Sequence, residues 1–161
     1  MYRPTALATV AALAFAATPL FAETLPGDIQ WAEDGSVAES LSGAPGNPEE
    51  GAVVMTTNAL GNCVACHQIG SMPDVPFQGT IAPELTGAAD RWTEAQLRGI
   101  VIDAKHTFPE SFMPGMYKVG PFIRPGVAYT GKAPESPDDI KPILTAQQVE
   151  DVVAYLMTLK E

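Results

Sequence analysis

Residues 63–67 read Cys63-Val64-Ala65-Cys66-His67, a C-x-x-C-H motif, and the rest of the sequence can be interpreted outward from it. The motif contains both cysteines of the 161-residue chain and one of its two histidines. On one turn of helix, this spacing brings two sulfurs and a neighbouring imidazole close together. The chemistry of the protein is therefore expected at Cys63, Cys66 and His67.

The first 22 residues have the layout of a secretory signal peptide. Arg3 precedes an apolar, alanine-rich run over residues 6–17, and the small residue Ala22 follows shortly after. The run is shorter than the roughly 20 apolar residues that a membrane-spanning helix needs. We therefore predict cleavage after Ala22 and export to the periplasm, without a membrane span.

Four interpretations of the cysteine pair compete. A redox disulfide would normally lie in a βαβ unit, and no strand-like alternation is present. A zinc site needs more ligands than two cysteines and two histidines offer beside each other, and a chance pairing leaves the export signal unexplained. Covalent haem explains all three residues, since two thioether bonds take the sulfurs and the histidine binds iron. We expect one haem c on Cys63 and Cys66, with His67 as a metal ligand.

Charge excludes one broad class of partner. Nine Lys and Arg stand against nineteen Asp and Glu, for a formal net charge of −10, and the nine basic residues are not clustered. Phosphate backbones are bound by clustered basic side chains, so a nucleic-acid partner is not expected. A basic macromolecular partner fits this charge better.

Helix signals predict an all-α fold with three main helices. Asn47-Pro48 opens the first, which should run to about Asn58. Two capping boxes, beginning at Thr93 and Thr145, open the second and third. The predicted buried positions are, in order, Gly51, Val54 and Met55; Leu97, Ile100, Val101 and Ala104; and Val149, Val152, Val153, Leu156 and Met157.

The remaining chain is predicted to be irregular. Residues 23–47 are rich in Gly, Pro, Ser and acidic residues and form an N-terminal extension, with Trp31 as its one large apolar anchor. A long proline-rich loop separates Phe108 from Leu144, and a loop of that length is usually functional. The expected organisation is a leader over 1–22, the extension over 23–47 and one domain over 48–161.

Over residues 48–161 the chain resembles the class I cytochrome c domain, which has long loops covering the haem. Ile81-Ala82-Pro83-Glu84-Leu85 is similar to the family's segment beside the haem, and the resemblance implies that the Pro83 carbonyl accepts the histidine N–H. Ala82 stands before this proline, where members of the family often have a glycine. Gly51 and Tyr155 match the family's contact between its first and last helices, although Met55 replaces the expected aromatic residue.

The same resemblance implies a methionine as the second iron ligand. Phe112-Met113-Pro114 is similar to the family's ligand loop, so we expect Met113 in this role, with Met116 and His106 as alternatives. Met55 and Met157 lie on apolar helix faces, where methionine usually fills the core. Met72 is too close to His67 in sequence to reach the other face of the haem.

Segments over residues 61–68, 91–101, 104–108, 112–114 and 151–156 together resemble the SoxX family, the monohaem subunits of SoxAX cytochromes in bacterial sulfur oxidation. This implies a heterodimer with a SoxA-like subunit that couples thiosulfate to the cysteine of the SoxYZ carrier. The chain itself would accept electrons and pass them to a small soluble acceptor. A free-standing periplasmic electron carrier is the alternative, and a haem peroxidase or sensor would need an open iron.

Overall fold

The computed structural model describes residues 22–122, 132, 134–136 and 139–161, and these residues form helices joined by long loops. The helices are α1 (Pro48–Thr56), α2 (Ala88–Arg91), α3 (Glu94–Asp103) and α4 (Ala146–Leu156), and two 3₁₀ turns span Cys63–Ala65 and Ala104–His106. No strand occurs in the described ranges, so the all-α prediction is confirmed. The predicted leader lies outside them except for Ala22, as does part of the proline-rich loop.

Local capping determines where the three predicted helices begin. The Asn47 side chain accepts hydrogen bonds from the backbone N–H groups of Glu49 and Glu50. The capping boxes at Thr93 and Thr145 are both formed. The first helix ends at Thr56, slightly before the expected end, and the one-turn helix α2 was not predicted.

Helices α1 and α4 pack closely through the backbone of Gly51. A Cβ atom at Gly51 would lie 2.0 Å from the Asp151 carbonyl oxygen and 2.9 Å from the Tyr155 Cβ. Met55 and Val149 are fully buried in the core between the helices. The expected contact of Gly51 with Tyr155 is therefore present, and Met55 fills the place of the aromatic residue.

The N-terminal extension lies against the helical domain as part of its core. Ile29, Val37 and Leu41 are buried, and the Trp31 indole stacks on the His106 imidazole with ring centroids 3.6 Å apart. The Tyr117 hydroxyl donates toward the Glu23 carboxylate at 2.7 Å. The extension thus covers apolar surface that three short helices leave open.

The helix positions that are buried in the structure differ in part from the predicted apolar stripes. Ile100 and Met157 are only half-buried, contrary to the apolar stripes predicted for their helices. Four charged residues are buried instead, namely Arg98, Asp103, Glu150 and Asp151. Ile100 and Met157 thus lie at the edges of the predicted stripes, and polar atoms of the extension and neighbouring loops satisfy the buried charged groups.

A buried ion pair joins α3, α4 and the extension. The Arg98 guanidinium donates to both carboxylate oxygens of Glu150 at 3.0 Å and to the Val37 carbonyl at 3.0 Å. Glu150 also accepts the backbone N–H of Leu41 at 2.8 Å. Each buried charge is therefore compensated by the other charge and by main-chain groups of the extension.

We predict that Glu150→Gln lowers the free energy of unfolding by about 3 kcal/mol, because it removes the only buried carboxylate that pairs with Arg98 among the described residues. Glu94→Gln is the matched control. Glu94 contacts the same guanidinium but its side chain is 60% exposed, so its loss should cost less than about 1 kcal/mol. Denaturant unfolding of both variants measures the difference, and equal losses would contradict the buried pair as the main support.

Candidate functional site

The C-x-x-C-H motif lies on a tight helical turn. Asn62 precedes it in a left-handed conformation, and the turn Cys63–Ala65 is 3₁₀. The backbone N–H groups of Cys66 and His67 both donate to the Cys63 carbonyl, at 3.1 and 2.9 Å. One turn therefore carries both sulfurs and the imidazole, as the spacing predicted.

A hydrogen bond from the His67 ring to the following loop selects the tautomer of the neutral imidazole. The distance from His67 Nδ1 to the Pro83 carbonyl oxygen is 2.6 Å. A carbonyl can only accept, so Nδ1 carries the proton and Nε2 keeps its lone pair for a metal. Such a partner also holds the ring of a ligating histidine in one orientation.

The loop that presents Pro83 is tied to the motif and to α2. Ala82 N–H donates to the Cys66 carbonyl at 3.1 Å, just before Pro83. The Arg91 guanidinium donates to the carbonyls of Glu84 and Thr86, at 3.1 and 2.7 Å. Sequence reasoning missed Arg91, because α2 is too short to give a periodic signal.

The surroundings of the Cys63 thiol differ from those of a typical redox thiol. Neither Cys63 nor Cys66 is in a disulfide, and burial raises the pKa of the Cys63 thiol to about 11. A redox C-x-x-C pair instead has a lowered thiol pKa. Within the described ranges, no three His, Cys, Asp or Glu side chains are grouped so that they could hold a metal ion.

Met113 lies in a loop separate from the motif and is half-buried against the core. Its backbone N–H donates to Ser111 Oγ at 3.2 Å, and Lys105 Nζ donates to the Ser111 carbonyl. The loop is thus held against the end of α3. Hydrogen bonds join the motif, His67 and Pro83 to one another, whereas Met113 comes from elsewhere in the fold.

The two alternative iron ligands, Met116 and His106, make packing contacts in other parts of the structure. Met116 is 5% exposed, and its backbone pairs with Val101 and Leu144. His106 stacks on Trp31. Met116 is thus enclosed in the core, the exposed His106 ring is held against Trp31, and Met113 is half-buried.

The donor set fits haem c. It comprises two cysteine thiols outside any disulfide, an imidazole with a free Nε2, and a thioether on a separate loop. Large apolar side chains beside these groups are exposed, with Ile81 at 69% and Phe112 at 72%. Exposed large apolar side chains next to a functional motif are typical of a ligand site or an interface.

No helix in the described part of the chain is both long and apolar enough to cross a bilayer.

Comparison with known proteins identifies the family. The cytochrome c family model matches residues 48–160. A chain in the crystal structure of SoxXA from P. pantotrophus is 64% identical, with a TM-score of 0.83, over 87% of this chain and 100% of that chain. No curated protein matches. The chain therefore belongs to the cytochrome c family, as a SoxX-type electron-transfer protein with a covalent haem c.

Proposed function

We propose that this chain is the electron-accepting subunit of a periplasmic SoxAX-type heterodimer that couples thiosulfate to the cysteine of a SoxYZ carrier. The observation that carries the proposal is the 64% identity to a whole chain of the SoxXA structure. The coupling joins the sulfane sulfur of thiosulfate to the carrier's cysteine sulfur, and it releases a proton and two electrons. The heterodimer would thus act as an L-cysteine S-thiosulfotransferase.

Five residues are assigned to the cofactor in this proposal. Cys63 and Cys66 form the thioether bonds, His67 and Met113 bind the iron, and Pro83 orients His67 through its carbonyl. When bound, the haem supplies a one-electron couple. The His67–Pro83 hydrogen bond supports the proximal side, and the separate, anchored loop of Met113 supports the distal side.

Sulfur transfer itself is assigned to the partner. A thiolate or persulfide is needed to hold a sulfane sulfur, and thioether bonds would use both cysteines of the sequence. A net charge of −10 also disfavours binding of an anion such as thiosulfate. The chain alone would therefore not be catalytic.

A free-standing periplasmic carrier is the second candidate. The haem site is the same in both, but the extension over residues 23–47 is built into the core and is larger than a minimal carrier needs. Extra ordered segments of this kind are a common basis for a permanent interface. A peroxidase or sensor is disfavoured, because two axial ligands close the iron.

We predict that the haem remains on the chain after acid acetone treatment and denaturing electrophoresis with haem staining. Cys63→Ala with Cys66→Ala should abolish the stain, since no sulfur then remains for a thioether. His106→Ala is the control and should keep it. Loss of colour from the unaltered chain would contradict covalent attachment.

We predict that Met113→Ala abolishes the sulfur-to-iron absorption band of the oxidised protein and lowers its reduction potential, because a methionine ligand raises that potential. Met116→Ala should keep the band. Because Met116 is buried, its truncation should instead lower the free energy of unfolding by about 2–5 kcal/mol. Loss of the band in the Met116 variant would overturn the assignment.

We predict that thiosulfate and SoxYZ do not reduce the purified chain promptly until a SoxA-like subunit is added. Haem absorption follows reduction, and mass spectrometry of SoxYZ follows modification of its cysteine. Prompt reduction and carrier modification by this chain alone would refute the subunit assignment.

A further inference from the structure

Phe77 is presented to solvent in an unusual conformation. Its side chain is 98% exposed, and its backbone has φ +58°. An aromatic residue seldom adopts this left-handed region, and an isolated chain gains nothing from exposing a phenylalanine. Strained residues of this kind persist only where surrounding structure enforces them, and they concentrate at functional sites.

The next residue, Gln78, holds the loop that carries Phe77. Its Oε1 accepts the backbone N–H of Ile69 at 2.6 Å, and its Nε2 donates to the Met72 carbonyl at 2.6 Å. This side chain thus closes the loop across its base. These bonds hold the loop in one conformation within the chain itself, and a preorganised loop loses less entropy on association.

Gly79 places the loop directly against the haem-attachment turn. Its N–H donates to the Val64 carbonyl at 2.7 Å, and a Cβ atom there would lie 2.1 Å from the Ala65 carbonyl oxygen. Only glycine fits this approach. Phe77 therefore lies two residues before the glycine that pairs with the turn carrying Cys63 and Cys66.

The loop is nearly free of charge although the protein is strongly acidic. Between His67 and Glu84 the only charged residue is Asp74, and Ile81 in the same loop is 69% exposed. Depletion of charge together with an exposed aromatic residue is the composition of an interface core. A surface of this kind fits an equally uncharged, apolar partner surface.

We infer that Phe77 is a buried anchor of the interface with the SoxA-like subunit. This rests on the proposed function. A soluble electron acceptor fits less well, because transient encounters rely on charge steering, and this loop offers one carboxylate. A permanent interface is more apolar and would cover Phe77 continuously.

The test uses the full-length, haem-loaded chain and a purified SoxA-like subunit. Phe77→Ala should weaken their affinity by tenfold or more, measured by calorimetry. Phe77→Gly should weaken it as much, although glycine relieves the left-handed backbone, because the lost side chain is what matters. Val53→Ala is the control. Val53 is apolar and 54% exposed on α1, and its variant should bind within threefold of the unaltered chain.

The outcomes separate this inference from the proposed function. Failure of the unaltered chain to bind the subunit would overturn both. Normal binding by both Phe77 variants would overturn the inference alone. A third outcome would also overturn it, in which Phe77→Ala keeps the affinity for the subunit but changes the haem spectrum or slows reduction of a soluble cytochrome. Phe77 would then contact the haem of this chain or the electron acceptor.

Discussion

The hydrogen bond from His67 Nδ1 to the Pro83 carbonyl is the contact on which the site depends. It leaves Nε2 as the only ring nitrogen with a free lone pair, and it holds the imidazole relative to the turn that carries both cysteines. The surrounding contacts support this bond. Ala82 pairs with Cys66 on one side, and Arg91 binds the carbonyls that follow Pro83 on the other. The loop geometry is therefore part of the metal site.

A second constraint is that the helices of this chain are few and short. Helices of nine, ten and eleven residues form most of the regular structure in the described ranges, and alone they would leave much apolar surface uncovered. The extension supplies the missing cover and is attached by polar contacts as well as by packing. Arg98 binds its carbonyls, and Trp31 stacks on His106. Because Ile29, Val37 and Leu41 are buried in the common core and Arg98 binds carbonyls of the extension, the extension packs as part of the fold.

These two constraints divide the chain into a redox part, formed by the C-x-x-C-H motif and the loops around it, and a covering part, formed by the extension over residues 23–47. Both cysteines lie in the motif, so the redox part has no thiol left for sulfur chemistry. The loop next to the motif exposes apolar residues in place of charges. A protein that exchanges electrons with a fixed neighbour needs a short path and a stable orientation more than it needs charge steering. The division of labour in a heterodimer is consistent with both features.

Much of this could be predicted from the sequence, because the deciding interactions are local. The helix starts at Asn47, Thr93 and Thr145 depend on hydrogen bonds spanning three residues, and the motif depends on one turn. Family resemblance supplied Pro83 and Met113, which local reasoning could not relate to the motif. The structure shows the His67–Pro83 bond, whereas the role of Met113 stays a prediction.

Only the tertiary structure decided the remaining features. Arg98 and Glu150 are 52 residues apart, and no sequence pattern indicated that they pair in the core. Their burial depends on main-chain groups of the distant extension. His106 could be judged as a ligand only once Trp31 was found stacked on it. The left-handed conformation of Phe77 depends on the anchors around it, and no sequence pattern encodes it. Local hydrogen bonds repeat at fixed spacings and can be recognised in a sequence, whereas long-range contacts depend on how the chain folds back on itself.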